Sequence, residues 1–187
     1  MKNRWITGAG LALLALAAGA QQGGSAALPA SGDAAAHAQA LKDARVSPRQ
    51  RAEFEKAALA DRNAQDGASQ LAANRARPGV TSLSSGVQYR VLKSGNGKRP
   101  GAANSVLCRY KGTLADGTVF DASDDKAPAL LKVTGLVPGL EEAVQLMPAG
   151  SQWEVVVPPQ LGYGARGREG VGPNAVLTYV VELVGIQ

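Results

Sequence analysis

Residues Val106 to Ser123, VLCRYKGTLADGTVFDAS, decide how the rest of the chain is read. Val106, Cys108 and Tyr110 alternate with Leu107, Arg109 and Lys111, the period-two pattern of a strand whose faces meet different surroundings. Asp116-Gly117 supplies a tight hairpin turn, because glycine accepts the positive φ that such turns demand. A second strand returns through Val119 and Phe120 to Asp121. The hairpin brings together a phenol, a phenyl ring and a carboxylate, from Tyr110, Phe120 and Asp121. That combination suits a small apolar pocket with one polar fixture.

On either side of this hairpin the texture is β. Gly86 to Val91 alternates, Gly95-Asn96-Gly97 is a turn, and Asp124 to Pro128 is a polar loop followed by a short strand, Leu130 to Val133. One short helix follows Pro138-Gly139: Leu140, Ala143, Val144 and Met147 fall at i, i+3, i+4 and i+7 on a single apolar face. Pro148 and Gly150 end it. Trp153, Val155 and Val157 share one face of the next strand, and Leu177, Tyr179, Val181 and Leu183 share one face of the last, Ala175 to Ile186. Strands outnumber helices, and the internal helix is long enough to plug a curved sheet, which predicts an α+β domain over residues 82–187.

Upstream, residues 1–20 read as a signal peptide: Lys2 and Arg4, an apolar run from Leu11 to Leu16, then Ala18-Gly19-Ala20. The run is too short for a permanent membrane span, and no cysteine follows it to carry a lipid. The mature chain is therefore expected to be exported, soluble and periplasmic, with no stable membrane anchor. Residues 21–32 form a flexible Gly, Ser, Ala and Gln leader, and residues 33–79 a helical segment, Ala-rich up to Val46. Ser47 restarts the helix: it caps the free N–H groups, Pro48 suits the first turn and Gln50 completes a capping box. The pattern runs to about Ala76, roughly 40 Å at about 1.5 Å per residue, with Gly67 a weak point and Pro78-Gly79 a stop. Phe54, Ala57, Ala58 and Leu59 give it only a narrow apolar stripe. Two roles stay open for this helix: pairing with a second copy in a homodimer, or a solvated spacer.

Composition removes several classes of chemistry. The chain of 187 residues carries 20 Lys and Arg against 15 Asp and Glu, scattered without runs or interleaved aromatics, so nucleic-acid binding is not expected. Cys108 is the one cysteine, which excludes an internal disulfide and a cysteine metal cluster; it reads as a small apolar residue on a buried strand face. The one histidine, His37, lies in the Ala-rich region, so histidine-dependent nucleophilic catalysis and histidine zinc sites in the folded domain are not expected. Gly162-Tyr163-Gly164-Ala165-Arg166-Gly167 satisfies a dinucleotide-binding pattern, but that pattern needs a helix opening at the glycines, and Gly170, Gly172 and Pro173 forbid one. The glycines instead let a long loop bend while it presents Tyr163 inward.

With these segments in order, the chain resembles the FKBP-type peptidyl-prolyl isomerases, in particular the secreted macrophage infectivity potentiator branch. The resemblance covers about Gly67 to Gln187 and rests on SGVQYRVLKSGNG, RYKGTLADGTVFDAS, LVPGLEEAVQLMPAGSQWEV, LGYG and VGPNAVLTYVVEL. It implies a half-open antiparallel sheet wrapped around one short helix, preceded by an N-terminal helical segment, with an apolar prolyl pocket between sheet and helix. It places Tyr110, Phe120 and Asp121 in that pocket, and Val137 as the residue whose backbone N–H binds a substrate carbonyl. Tyr163 would do likewise through its hydroxyl, while Val171 and Tyr179 would form apolar walls. The chain departs from the family at Leu140, where a tryptophan usually forms the pocket floor, and near Ala129 and Leu130, where a further aromatic is common.

The implied reaction asks little of the side chains. Rotating an X-Pro bond means twisting an amide against about 18–20 kcal/mol, without breaking a bond. No nucleophile, metal or cofactor is required. An apolar cleft strips water from the carbonyl while a few fixed donors hold the twisted form. Each ten-fold gain in rate needs only about 1.4 kcal/mol. The expected partners are X-Pro segments of unfolded or partly folded exported proteins, together with macrolide inhibitors. A non-catalytic chaperone or proline-peptide-binding module with a reduced pocket is the competing expectation, favoured by the missing tryptophan floor.

Overall fold

The structure is a computed structural model that describes residues 47–124 and 126–187. The expected signal peptide, the leader and the helix over Asp33 to Val46 fall outside the described residues. The described chain begins with α1 (Pro48–Arg75), then β1 (Val80–Ser82), β2 (Gln88–Lys93), β3 (Ser105–Thr113), β4 (Val119–Ala122) and β5 (Ala129–Lys132). After a short 3-10 turn come α2 (Pro138–Leu146), β6 (Gln152–Val157), a second 3-10 turn at Pro159–Leu161, and β7 (Leu177–Ile186).

The strands form one antiparallel sheet in the order β1-β2-β6-β7-β3-β4, with β5 also beside β3. β3 pairs with β7 from Val106 to Thr113. Its other flank is shared: β5 takes Ser105 to Cys108 and β4 takes Lys111 to Thr113. The register shifts between Val91 and Lys93, between Leu107 and Cys108, and between Gly112 and Thr113. Such bulges add twist and bend a sheet, which here curls around α2. The β3–β4 turn spans Leu114 to Gly117. The Gly117 N–H donates to the Leu114 carbonyl at 3.0 Å, and Gly117 has φ 84°, which requires its glycine.

The core is the space between α2 and the concave face of the sheet. Ala143, Val144 and Met147 are fully buried, as are Val155, Val157, Leu177, Val181 and Leu183 across from them. Each such aliphatic side chain contributes about 1.5–3 kcal/mol through burial. Gly139 belongs to the packing too, because a Cβ there would lie 2.5 Å from Val157 Cγ1. Cys108 is buried on β3, and burial pushes its thiol from 9.0 to about 11, in keeping with a packing role.

The N-terminal helix differs from the sequence reading in how it is held. Its capping box is present: the Ser47 hydroxyl accepts the Gln50 N–H and the Gln50 side chain accepts the Ser47 N–H. Gly67 does not interrupt it. A Cβ at Gly67 would sit 2.6 Å from Val176 Cγ2, so this glycine lets α1 approach the chain just before β7. Beyond it, Gln70 donates to the Thr178 hydroxyl at 3.1 Å, and the Asn74 amide donates to the fully buried Gln88 at 2.8 Å. Gln88 in turn donates to the Leu71 carbonyl at 3.0 Å. The second half of α1 therefore packs on the sheet domain through a small and polar face, and Leu59 of the apolar stripe comes close to Gly172. The sheet itself begins at Val80, just ahead of the expected boundary. The last strand begins at Leu177 rather than Ala175, and Val133 lies in a 3-10 turn rather than a strand.

Candidate functional site: a ring-lined cavity with a fixed carboxylate

At the mouth of the sheet, beside the start of α2, lies a cavity of about 310 Å³. Tyr110 enters it from β3, Asp121 from β4 and Leu131 from β5. Val137 and Leu140 come from the start of α2, Tyr163 and Arg168 from the loop after Pro159–Leu161, and Tyr179 from β7. Gly135 and Leu136 complete the lining.

Asp121 is held from two sides. The Tyr110 hydroxyl donates to its Oδ1 at 3.1 Å, and Arg168 Nη2 donates to its Oδ2 at 3.3 Å. The Arg168 guanidinium also stands 4.8 Å from the Tyr163 ring centre and 5.5 Å from that of Phe120, within cation–π range. The Arg168 and Asp121 side chains are 38% and 36% exposed, so their ion pair is worth at most about 1 kcal/mol and orients more than it stabilises. The Tyr110 hydroxyl thus belongs to the polar fixture of the cavity.

Phe120 lies behind the lining. Its ring meets Tyr179 edge-on at 5.6 Å and Tyr163 edge-on at 6.4 Å, so it fixes the two phenols that face the cavity. Space for it comes from Gly112, where a Cβ would approach Phe120 to 2.7 Å and Tyr179 to 3.1 Å. Burial, then the Tyr163 and Asp121 groups, push the Tyr179 phenol above its ordinary value. Burial, then the Asp121 carboxylate, push the Tyr110 phenol up as well. Both remain protonated hydroxyls at neutral pH.

Val137 precedes α2, with φ −61° and ψ 145°. Its carbonyl accepts the N–H groups of Leu140 and Glu141, both at 2.9 Å, while its own N–H has no partner among the described residues. Leu140, 6% exposed, contributes an aliphatic surface where the aromatic floor was expected to be missing.

Of the eight residues picked from the sequence, Tyr110, Asp121, Val137, Leu140, Tyr163 and Tyr179 line one cavity, and Phe120 backs it. Val171 does not line it. It is 3% exposed and forms a two-residue bridge with Arg168, each accepting the other's N–H at 2.9 Å. Its contribution is to fix Arg168 rather than to form a wall. Leu131, Gly135, Leu136 and Arg168 also line the cavity and were not singled out from the sequence. Leu131 could have been found as one of two leucines on a short strand, since its neighbour Leu130 is 56% exposed. The GxGxxG segment runs through turns, and no helix opens after it.

The sequence profile of the FKBP-type peptidyl-prolyl cis-trans isomerases matches residues 97–184, and that of the domain amino-terminal to such isomerases matches residues 8–91. The outer membrane protein MIP of Legionella longbeachae is 44% identical over 138 residues, which is 73% of this chain and 58% of the relative. An FKBP-type isomerase, FkpA, of Aeromonas hydrophila is 42% identical over 146 residues, 78% of this chain and 54% of the relative. This chain thus spans a little over half the length of these relatives. Among solved structures, a peptidyl-prolyl cis-trans isomerase from Pseudomonas syringae superimposes with a TM-score of 0.64 at 31% identity, over 68% of this chain and 95% of that one. FkpA from Escherichia coli superimposes with a TM-score of 0.68 at 28% identity, over 81% of this chain and 79% of that one. The chain belongs to the FKBP-type peptidyl-prolyl cis-trans isomerase family.

Proposed function

We propose that this protein is a peptidyl-prolyl cis-trans isomerase acting on X-Pro segments of unfolded or partly folded exported proteins. The observation that carries the reading is the Tyr110–Asp121–Arg168 group set into a cavity otherwise lined by rings and aliphatic side chains. A prolyl ring fits between Leu140, Tyr179 and Leu131, and its amide then leaves water. Water stabilises the planar amide by solvating its carbonyl, so exclusion of water lowers the barrier to rotation. The free Val137 N–H and the Tyr163 hydroxyl are donors for the two flanking carbonyls, and Asp121 is the fixed acceptor at the lip. A thousand-fold acceleration asks for about 4 kcal/mol, within the range of desolvation plus two or three hydrogen bonds.

Export rests on the pattern of residues 1–20, and no helix among the described residues is long and apolar enough to cross a membrane. Macrolide inhibitors are proposed as ligands of the same cavity. A second reading, a proline-peptide-binding module without turnover, is favoured by one observation: Leu140 offers less surface to a prolyl ring than an aromatic floor would. Exchange NMR on a short X-Pro peptide separates the two. Acceleration of cis–trans exchange at substoichiometric protein supports the enzyme. Peptide binding with no acceleration at stoichiometric protein rejects it in favour of the module.

A further inference from the structure

The loop that carries Tyr163 and Arg168 is held at its far end by a residue of the N-terminal helix. Asn63 of α1 donates from Nδ2 to the Pro173 carbonyl at 2.7 Å, in a partly buried contact. The same peptide unit has its N–H on Asn174, and that N–H donates to the Gly164 carbonyl at 2.9 Å. One rigid peptide plane thus joins a helix side chain to the residue next to Tyr163. Asn174 has φ 54°, the only positive φ at a non-glycine among the described residues. Asparagine accepts a left-handed φ more readily than other non-glycine residues, though less readily than glycine, and here its conformation is reinforced by its surroundings. Two bonds hold the peptide plane here, one on each of its edges. The fit is close on the helix side as well: a Cβ at Gly172 would lie 2.8 Å from Asn63 Nδ2 and 3.2 Å from Leu59 Cδ2.

We infer that Asn63 is a positioning residue for the cavity: by holding the Pro173–Asn174 peptide in place, it keeps Gly164, and with it Tyr163, at the cavity rim. The consequence is that α1 completes the site within a single chain. Without the Asn63 donor the peptide can flip, which relieves φ at Asn174 and breaks the bond to Gly164. Tyr163 and Gly164 then keep only backbone bonds within their own turn, among them those from the Gly164 N–H to the Pro159 carbonyl at 2.9 Å and from the Gly167 N–H to the Tyr163 carbonyl at 3.2 Å, while Arg168 keeps its own bridge to Val171. The effect on isomerisation rests on the function proposed above; the effect on the loop does not.

The test uses the full chain with Asn63→Ala, Asn63→Ala combined with Asn174→Gly, and Gln70→Ala, which removes a different bond between α1 and the sheet. Amide hydrogen exchange at Asn174 and proline-peptide exchange NMR are both read. Asn63→Ala is expected to speed exchange at the Asn174 amide at least ten-fold and to lower kcat/KM about five-fold, chiefly through KM. Asn174→Gly, which accepts φ 54° without strain, is expected to restore a good part of both. Gln70→Ala should leave the Asn174 amide protected. Wild-type protection at Asn174 in Asn63→Ala would overturn the inference, as would an equal loss in Gln70→Ala or no rescue by glycine. If the wild-type chain does not accelerate proline exchange, the proposed function fails, while the exchange data at Asn174 still decide the role of Asn63.

Discussion

Asp121 shows how much the pocket depends on its neighbours. A lone carboxylate beside three rings would be poorly placed to act as a fixed acceptor, because nothing would choose its rotamer. The Tyr110 hydroxyl and the Arg168 guanidinium each take one oxygen and so fix the plane of the group. Tyr110→Phe removes one of these bonds with little change in volume. It is expected to cost about 1 kcal/mol of transition-state stabilisation, or roughly a five-fold drop in kcat/KM in the proline-exchange assay, with the fold intact by circular dichroism. An unchanged kcat/KM would remove the Tyr110–Asp121 bond from the mechanism. Leu140→Trp tests the floor: it should raise both isomerase activity and macrolide affinity, and lower values of both in a folded variant would count against Leu140 as the floor. Most of these residues were readable in the sequence because each belongs to a spaced motif, and Tyr163 stood out as a ring among glycines. Arg168 was not, since nothing local distinguishes it from Arg166 two residues earlier. Only the bridge to Val171 selects which arginine turns toward Asp121.

At the level of elements, the same contrast separates the two helices. α2 announced itself through four apolar residues on one face, and those residues are buried against the sheet. The ends of α1 were equally legible, in Ser47-Pro48 and Pro78-Gly79. Its contact face was not. Asn63, Gly67, Gln70 and Asn74 lie at i, i+4, i+7 and i+11, a regular face, but they are small or polar and hydrophobic periodicity does not register them. Gly67 in particular reads as a helix weakness in isolation and is a close-contact site in the fold. Gly67→Leu should lower the thermal midpoint by an amount equivalent to about 1–3 kcal/mol, because its side chain must displace Val176 or lift the helix. A calorimetric midpoint equal to or above that of the wild type would show that α1 does not rest on β7 in solution.

Across the whole molecule, the segment just past the N-terminal helix is tied to the sheet by an ion-pair group centred on Glu154. This β6 residue meets Arg77, just past α1, and Arg90 on β2, and is itself 14% exposed. Burial alone would raise its carboxyl; the two guanidiniums outweigh burial, and the net shift is below the ordinary 4.5. A carboxyl lowered by folding adds stability that is present above its unfolded value and is lost as pH falls through the folded one. Glu154→Gln should therefore be less stable than wild type near neutral pH, by at most about 1 kcal/mol because both arginines are partly exposed. Denaturant titrations should show that gap closing as pH drops below 4.5, and a gap that persists or widens in acid would contradict the assignment. The α+β class was legible in the alternating strands and the single internal helix, whereas the wrapping of the sheet around that helix came only through the family resemblance, since alternation identifies strands without saying which lie side by side.

The ends of that sheet carry a consequence for the function proposed above. β1 on one border has only three residues, and the opposite border is divided between two four-residue segments, β4 and β5, with a loop between them. Long unpaired borders act as templates on which loose polypeptide anneals. Borders this brief offer a visiting chain too few consecutive amides to zip onto, so under the proposed function a client held by its proline in the cavity would be let go without being recruited into the fold.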